Sequence, residues 1–182
     1  MSLACSARRA FIKGLCGVAV TSLVATKGHA SPVIKGSRSL NLYNRHTGES
    51  VNHDFWIDGL YQPEALSGFD QVLRDHRQNI AAPMDKRLFE LLHQLQSDLN
   101  NDAQIHIISG YRSPKTNAML SARSNGVAKK SYHMRGMAMD IAIPGVDLAN
   151  LRDAAKNLKL GGVGFYPRSG FIHVDTGRVR SW

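Results

Sequence analysis

The sequence predicts an α+β fold: a single domain with a small, mostly antiparallel sheet and flanking helices. Two observations predict it. The chain has 182 residues, a length typical of one domain. Segments with helical periodicity come early in the sequence, whereas short strand-like segments cluster late. Such segregation of helices and strands is typical of α+β proteins.

Residues 1–30 have the pattern of an export signal. Arg8 and Arg9 precede a run of 13 weakly apolar residues, and the small residues of GHA predict cleavage after Ala30. The run is shorter than the roughly 20 residues that span a bilayer. The paired arginines resemble a twin-arginine signal, although an ordinary secretory signal or an uncleaved anchor is an alternative. We expect export to the periplasm and a mature domain, without a membrane span, at 31–182.

The charge and the cysteines belong largely to the same segment. The formal net charge is +9, but four of the 23 basic residues and none of the 14 acidic residues lie in residues 1–30, so the remainder carries +5. This moderate charge argues against nucleic acid as a partner. Cys5 and Cys16 are both in the signal. The mature domain therefore has no disulfide, no cysteine nucleophile and no thiolate metal site.

The first half of the domain predicts a hairpin and two helices. Residues 38–57 alternate partly around Gly48, a pattern typical of a β-hairpin. Apolar residues recur at helical spacing over 63–78 and again over 84–99, where Asp85 is the expected cap.

The second half predicts short strands alternating with helices. The helix at 113–124 begins with Ser-Pro, a favourable start, and the helix at 146–160 begins with Asp147 as its expected cap. The predicted strands lie at 104–110, 137–143, 162–166 and 171–175.

Two histidines and a carboxylate could converge at this cluster of strands. His133 lies in a loop that turns at Gly136, Asp140 lies in the strand predicted at 137–143, and His173 lies in the strand predicted at 171–175. If the two strands are neighbours, the three side chains meet. Three such ligands with an open position are typical of catalytic zinc, and their spacing fits non-haem iron less well. The alternative is that the three residues have separate structural roles and do not form a metal site.

Three stretches resemble one group of enzymes. SGYRSPKTN (109–117), SYHMRGMAMD (131–140) and GGVGFYPRSGFIHVD (161–175) match, in order and spacing, the LAS-type zinc metallopeptidases. This group includes D-Ala-D-Ala peptidases and the hedgehog domain, and the order and spacing of the three stretches resemble its branch of exported murein endopeptidases. The resemblance extends over almost all of the mature chain and implies a hedgehog-like or D-Ala-D-Ala-peptidase-like fold.

The resemblance implies a zinc-dependent peptidase. It implies one Zn²⁺ on His133, Asp140 and His173, and peptidoglycan stem peptides as the partner. Cross-links involving meso-diaminopimelate, of the 3-3 and also the 4-3 type, are the expected substrates. It also places Arg112 over the substrate, where a fixed cation stabilises developing negative charge. A guanidinium that only pairs with Asp140 or Asp175 is the alternative.

The general base is the least defined part of the expected site. Related enzymes often have Glu or His two or three residues before the last zinc ligand, but this chain has Phe171 and Gly170 there. Asp175 shares a strand face with His173. It is expected either to accept the proton of the zinc-bound water or to orient His173. Weaker candidates for substrate contact are Ser131, Tyr132 and Tyr166.

Other functions remain alternatives on the sequence alone. They are a zinc-containing module that binds wall peptides without cutting them, a D-Ala-D-Ala carboxypeptidase, and an envelope protein without a metal. The five other histidines of the mature domain are expected at ordinary packing or surface positions: His46, His53, His76, His93 and His106.

Overall fold

A computed structural model of the chain describes residues 35–124 and 126–182. The expected signal at 1–30, with Cys5 and Cys16, lies outside the described residues. Within them the chain forms one domain of four α-helices and one open, mixed sheet of eight strands, so the prediction of an α+β fold is confirmed. None of the helices in this part of the chain has the length and hydropathy needed to cross a membrane.

The helices and strands follow one another along the chain with two short 3-10 helices among them. The strands are β1 (Ser37–Asn44), β2 (Ser50–Ile57), β3 (Leu60–Tyr61), β4 (Ile105–Ser109), β5 (Ala138–Ala142), β6 (Gly162–Tyr166), β7 (Phe171–Asp175) and β8 (Arg180–Ser181). The helices are α1 (Pro63–Val72), α2 (Lys86–Asp98), α3 (Pro114–Arg123) and α4 (Leu148–Leu158). The 3-10 helices are Tyr132–Arg135 and Pro167–Ser169.

The strand order in the sheet is β3-β2-β1-β4-β5-β7-β6-β8. The β1–β4 and β6–β8 pairs are parallel and the other five pairs are antiparallel, so the sheet is mixed but mostly antiparallel, as expected. The sheet is larger than expected, because β3 and β8 extend its two edges. Each of these strands has two residues, which is too short to show a strand period in the sequence.

The core lies between the sheet and the helices α1, α2 and α4. Phe55 of β2, Phe69 of α1 and Phe89 of α2 are fully buried, with ring centroids 5.0 to 6.2 Å apart. Burial of each such ring stabilises the fold by about 1.5–3 kcal/mol. On β5 and β7, Met139, Ile141 and other apolar side chains point into this core. Polar side chains that alternate with them therefore lie on the opposite face of the sheet.

Capping side chains fix where the later helices begin. The side chains of Asp85 and Asp147 accept hydrogen bonds from backbone N–H groups in the first turns of α2 and α4, as predicted. Ser113 accepts from Thr116 N–H at the start of α3. Such caps satisfy N–H groups that have no partner within the helix.

The prediction of a helix over 63–78 is wrong in its last six residues. The helix α1 ends at Val72, and the chain then turns around the buried carboxylate of Asp75. Asp75 accepts hydrogen bonds from the backbone N–H groups of Arg77 and Ser113, each at 3.0 Å. These hydrogen bonds replace those that a longer helix would form, and Ser113 is 38 residues away from Asp75 in the sequence.

Candidate metal centre and cleft

Two neighbouring strands bring Asp140 and His173 together. The strands β5 and β7 are antiparallel, and Asp140 is directly opposite His173 in their register. On both strands the adjacent residues, such as Met139 and Val174, are buried in the core. Asp140 and His173 therefore project from the other face of the sheet, where residues opposite each other lie within contact distance.

A short 3-10 helix supplies His133 where the sequence predicted a loop. The helix covers Tyr132–Arg135, and the Ser131 hydroxyl accepts from His133 N–H at its start. It ends at Gly136, whose φ of 64° lies in the left-handed region, as the predicted turn requires. A Cβ at Gly136 would lie 2.4 Å from the carbonyl oxygen of Pro83, so the turn also fits tightly against the preceding chain.

The three side chains meet at one point. His133 Nε2 lies 3.2 Å from His173 Nδ1 and 3.3 Å from Asp140 Oδ1, and His173 Nδ1 lies 2.9 Å from Asp140 Oδ1. Ligand atoms about 2.0–2.1 Å from a tetrahedral zinc ion lie about 3.3 Å from one another. Among residues 35–124 and 126–182, this is the one group of three or more His, Cys, Asp or Glu residues with metal-site spacing.

In each imidazole, one ring nitrogen faces the proposed metal position and the other faces a hydrogen-bond acceptor. His133 Nδ1 lies 2.8 Å from the carbonyl oxygen of Gly110, which can only accept, so Nδ1 carries the proton. His173 Nε2 lies 3.0 Å from Asp175 Oδ2, and donates to this carboxylate in the same way. His133 Nε2 and His173 Nδ1 both face Asp140 Oδ1, and each can offer a lone pair to a cation at this point once its other nitrogen carries the proton. Two imidazole nitrogens and a carboxylate oxygen at these distances are a donor set that fits a metal ion.

The local electrostatics favour a cation at the same point. Burial alone would raise the pKa of Asp140, but the imidazoles of His133 and His173 hold it well below its ordinary value. Burial alone would lower the pKa of His173, but the carboxylates of Asp140 and Asp175 raise it above the ordinary histidine value. Asp140 is therefore ionised at neutral pH, as a metal ligand must be.

Asp175 lies behind His173 and does not line the cleft. Its side chain is fully buried. Besides His173, its donors are the backbone N–H groups of Gly162 and Gly177, at 3.1 and 2.8 Å, and both terminal nitrogens of Arg180, at 3.1 and 2.7 Å. Burial would raise the pKa of Asp175, but these hydrogen bonds hold it well below its ordinary value. Of its two expected roles, this position favours orienting His173.

Arg112 lies on the other side of Asp140. Its backbone N–H donates to the carbonyl oxygen of His133 at 3.2 Å, and one terminal nitrogen lies 3.6 Å from Asp140 Oδ2. The guanidinium also donates to Ser109 Oγ at 3.1 Å and contacts Asn117 Oδ1 at 3.5 Å. Its buried Nε has no hydrogen-bond partner within the described part of the chain. Burial lowers the pKa of Arg112 and Asp140 counteracts this.

The ligand atoms open into a cleft of about 350 Å³. Its aromatic lining consists of Tyr132, Tyr166, Phe171 and Trp182, and its cationic lining of Arg112, Lys130 and Arg180. Asp140 is the carboxylate among the described residues that line it. The sequence did not indicate Arg180 or Trp182, because both belong to the unpredicted edge strand β8 or directly follow it.

The five other histidines among the described residues lie away from this site. His46 stacks on His76, with ring centroids 4.3 Å apart, and His93 packs edge-on against Phe55. His106 packs against a tyrosine ring on β1, and His53 is exposed on β2. These are the packing and surface positions that the sequence predicted.

The chain is similar to a set of known cell-wall enzymes. Residues 33–182 match the family model Peptidase_M15_2, described as peptidoglycan L,D-endopeptidase MepK. The chain is 44% identical over 177 residues to the peptidoglycan L,D-endopeptidase MepK of Escherichia coli strain K12, across 97% of each protein. It is also 44% identical over 146 residues to a probable peptidoglycan L,D-endopeptidase MepK of Haemophilus influenzae, across 80% of this chain and 78% of the relative.

Proposed function

Because this chain belongs to the family described as peptidoglycan L,D-endopeptidase MepK, we propose that it is a murein endopeptidase. We further propose that it depends on one Zn²⁺ held by His133, Asp140 and His173. The observation that carries the proposal is the convergence of three metal-ligand atoms, 2.9 to 3.3 Å apart, at the wall of an open cleft. A structural zinc site is instead closed by a fourth protein ligand.

The protein residues hold this centre in position for peptide hydrolysis. When bound, zinc lowers the pKa of a coordinated water to about 7 and polarises the scissile carbonyl. The carbonyl oxygen of Gly110 fixes the ring of His133, and Asp175 fixes the ring of His173. Each contact keeps one nitrogen free to bind the ion. This support is expected to contribute to metal affinity as strongly as in other histidine metal sites.

Arg112 is proposed to stabilise the negative charge that develops on the carbonyl oxygen. Its guanidinium lines the cleft beside Asp140. A cation fixed in advance next to the reacting bond stabilises this charge without reorganisation. Its contact with Asp140, at 3.6 Å, is longer than a hydrogen bond and leaves the guanidinium available to substrate.

The proposed substrates are the cross-linked stem peptides of peptidoglycan. We propose cleavage of cross-links that involve meso-diaminopimelate, of the 3-3 and also the 4-3 type. The proposed location is the periplasm, reached through a twin-arginine signal at residues 1–30, with 31–182 as the zinc metallopeptidase domain. A D-Ala-D-Ala carboxypeptidase would act in the same place on a terminal residue, and product analysis separates the two.

One observation favours a second candidate function. Phe171 and Gly170 take the positions where related enzymes often have an acid–base residue, and Asp175 is occupied by five donor contacts behind the metal site. A zinc-containing module that binds wall peptides without cutting them fits the same residues. The two candidates differ in turnover, so a direct assay separates them.

The test is a digest of purified cross-linked muropeptides with residues 31–182, analysed by mass spectrometry with zinc and with a chelator. We expect monomers that form only with zinc, and their masses identify the bond cut. Release of single D-alanine residues would indicate the carboxypeptidase. Intact dimers from protein with stoichiometric zinc would replace the endopeptidase with the binding module.

Matched histidine variants test the ligand set in the same assay. His133→Ala and His173→Ala are expected to lose both bound zinc and turnover. His53→Ala, an exposed residue of β2, should retain both. Full zinc content in either ligand variant would contradict the proposed centre.

A further inference from the structure

The two tryptophans of the chain have contrasting surroundings. Trp56 is 7% exposed, and its ring packs beneath the guanidinium of Arg38. Trp182 is 51% exposed and lines the cleft that contains the proposed metal ligands. Its ring centroid lies 5.3 Å from that of His173. A large apolar surface is therefore open to solvent directly beside a proposed ligand.

The exposed indole is held firmly from both sides. The backbone N–H of Trp182 donates to the Val163 carbonyl oxygen at 3.2 Å, and the backbone carbonyl oxygen of Trp182 accepts from Phe165 N–H at 3.0 Å. The indole N–H donates to the Tyr166 hydroxyl at 2.9 Å, and the Arg180 guanidinium lies 4.7 Å from the ring centroid. A rigid aromatic surface loses little entropy when a ligand covers it, and this is typical of binding sites.

The strand beneath the indole leaves space for it. A Cβ at Gly164 would lie 2.7 to 2.9 Å from three atoms of the Trp182 ring. Any larger residue at this position would displace the ring. Gly164 itself does not line the cleft, so its substitution would displace the indole without replacing a residue of the cleft wall.

We propose that Trp182 is a specificity-determining residue, whose indole packs against the methylene stem of a diaminopimelate residue beside the scissile bond. This rests on the proposed murein endopeptidase function. Diaminopimelate joins two charged ends by an aliphatic stem, whereas its neighbour D-alanine has a single methyl group. The cleft has the matching chemistry, because the aromatic rings of Trp182 and Tyr166 line it together with the cations Arg112 and Lys130. Apolar contact on the ring is favourable in proportion to the area removed from water.

Kinetics of three variants test the contact. With zinc-loaded protein and a cross-linked dimer as substrate, Trp182→Ala is expected to raise KM about tenfold at unchanged kcat. Trp182→Phe should recover most of this loss, and Gly164→Ala should reproduce it. The matched control is Val179→Ala, an exposed apolar residue of the same segment outside the cleft lining. An unchanged KM in Trp182→Ala, or a loss of zinc and kcat at unchanged KM, would overturn the proposal.

Fluorescence separates this inference from the function on which it rests. In a Trp56→Phe background Trp182 is the remaining tryptophan. Titration with the tripeptide L-Ala-γ-D-Glu-meso-diaminopimelate is expected to change its emission saturably, whereas the tripeptide ending in L-alanine should not. If the protein binds but cleaves nothing, the contact stands and the endopeptidase proposal fails. If it cleaves cross-links while both tripeptides leave the emission unchanged, the contact is wrong and the enzyme remains.

Discussion

Each histidine of the proposed metal site is oriented by a second group through its other ring nitrogen. His133 donates to a backbone carbonyl oxygen and His173 donates to Asp175, so each ring has a single nitrogen left for a cation. The chain of contacts continues from Asp175 to Arg180, whose two nitrogens hold both carboxylate oxygens. The orientation of His173 therefore depends on residues that do not touch the ion.

Asp175→Asn tests whether this carboxylate orients a ligand or accepts a proton. The substitution keeps the shape of the side chain but removes its charge. We expect the dissociation constant for zinc to rise about 10- to 100-fold, with activity restored at excess zinc, as measured by zinc titration and muropeptide turnover. Asp153→Asn, on the exposed face of α4, is the control. Full zinc occupancy with activity that excess zinc does not restore would support a base instead.

Arg112→Lys tests the proposed contact with the carbonyl oxygen. Lysine keeps the positive charge but has neither the planar fork nor its directed donors. We expect kcat to fall about 10²- to 10³-fold, while zinc content stays the same. Arg152→Lys, an arginine of α4 paired with Asp153, should behave as the unmodified protein. Unchanged kcat in Arg112→Lys would mean that Arg112 serves only as a partner of Asp140.

The sequence was sufficient to indicate the three side chains that converge at the candidate metal centre. It did not indicate the residues around them, such as Arg180 and Trp182. His133, Asp140 and His173 have side chains with distinct metal chemistry and lie within or next to strongly patterned strands. Arg180 and Trp182 have no such signal. Their positions depend on the pairing of a two-residue strand with β6 and on contacts such as that with Tyr166. Local periodicity carries no information of this kind.

At the scale of elements, the strands and the first hairpin turn were predicted well, whereas the end of the helix α1 was not. The strands β6 and β7 begin and end where expected, and Gly48 turns the first hairpin as predicted, with a φ of 75°. The helix α1 ends early because Asp75 binds backbone N–H groups of its own turn and of the start of α3. This tertiary contact outweighs a favourable helical pattern, which is a weak preference by comparison.

Asp75→Asn should reveal this contact as a pH-dependent contribution to stability. Burial would raise the pKa of Asp75, but the hydrogen bonds that its carboxylate accepts, including those from the backbone N–H groups of Arg77, Gln78 and Ser113, lower it overall. Its stabilising effect is therefore complete above the unfolded pKa of about 3.9 and is lost as the pH falls through the lower folded pKa. We expect the free energy of unfolding of the variant at pH 7 to be about 1–3 kcal/mol lower than that of the unmodified protein.

The difference between unmodified protein and variant should shrink as urea unfolding is repeated from pH 7 down to pH 3. Comparing the two proteins at each pH removes the contributions of all other carboxylates. Asp98→Asn is the control, because its exposed side chain accepts from Gln94 of its own helix. A difference that stays constant down to pH 3 would contradict the assigned role of Asp75.

Two glycines with positive φ allow the effect of backbone strain to be separated from that of a close contact. Gly136 and Gly145 have φ values of 64° and 80°, but a Cβ meets the Pro83 carbonyl oxygen only at Gly136. Gly145→Ala should cost about 1–2 kcal/mol of unfolding free energy. Gly136→Ala should cost about 1–3 kcal/mol more and weaken zinc binding, because this turn carries His133. Equal costs, with unchanged zinc affinity, would show that the contact has no effect.

At the scale of the whole molecule, the candidate centre lies in the middle of the sheet. The strands β4, β5 and β7 are adjacent, with β1 and its hairpin on one side and β6 on the other. Sites built on paired strands are held more precisely than sites built on loops. The order of strands depends on pairings between distant segments, such as β1 with β4 across two helices. No local pattern in the sequence specifies that order.

Replacing Arg8 and Arg9 by lysine tests how the whole protein reaches its proposed location. Both positive charges remain, so an ordinary secretory signal should still work, whereas the twin-arginine receptor is expected to reject the pair. We expect full-length precursor in the cytoplasm and none of the mature protein in the periplasm, as measured by cell fractionation and mass spectrometry. Continued export of the Lys-Lys variant would identify an ordinary secretory signal.

The direct pairing of Asp140 with His173 also makes the site a check on correct folding. If β7 paired with β5 one residue out of register, every side chain of the shifted strand would change faces. Ile172 or Val174 would then enter the cleft, and His173 would enter the apolar core. Such a chain has no complete set of ligands. Zinc that binds only the native register would stabilise it by RT ln(1 + [Zn]/Kd), so metal loading would select correctly paired chains from misfolded ones.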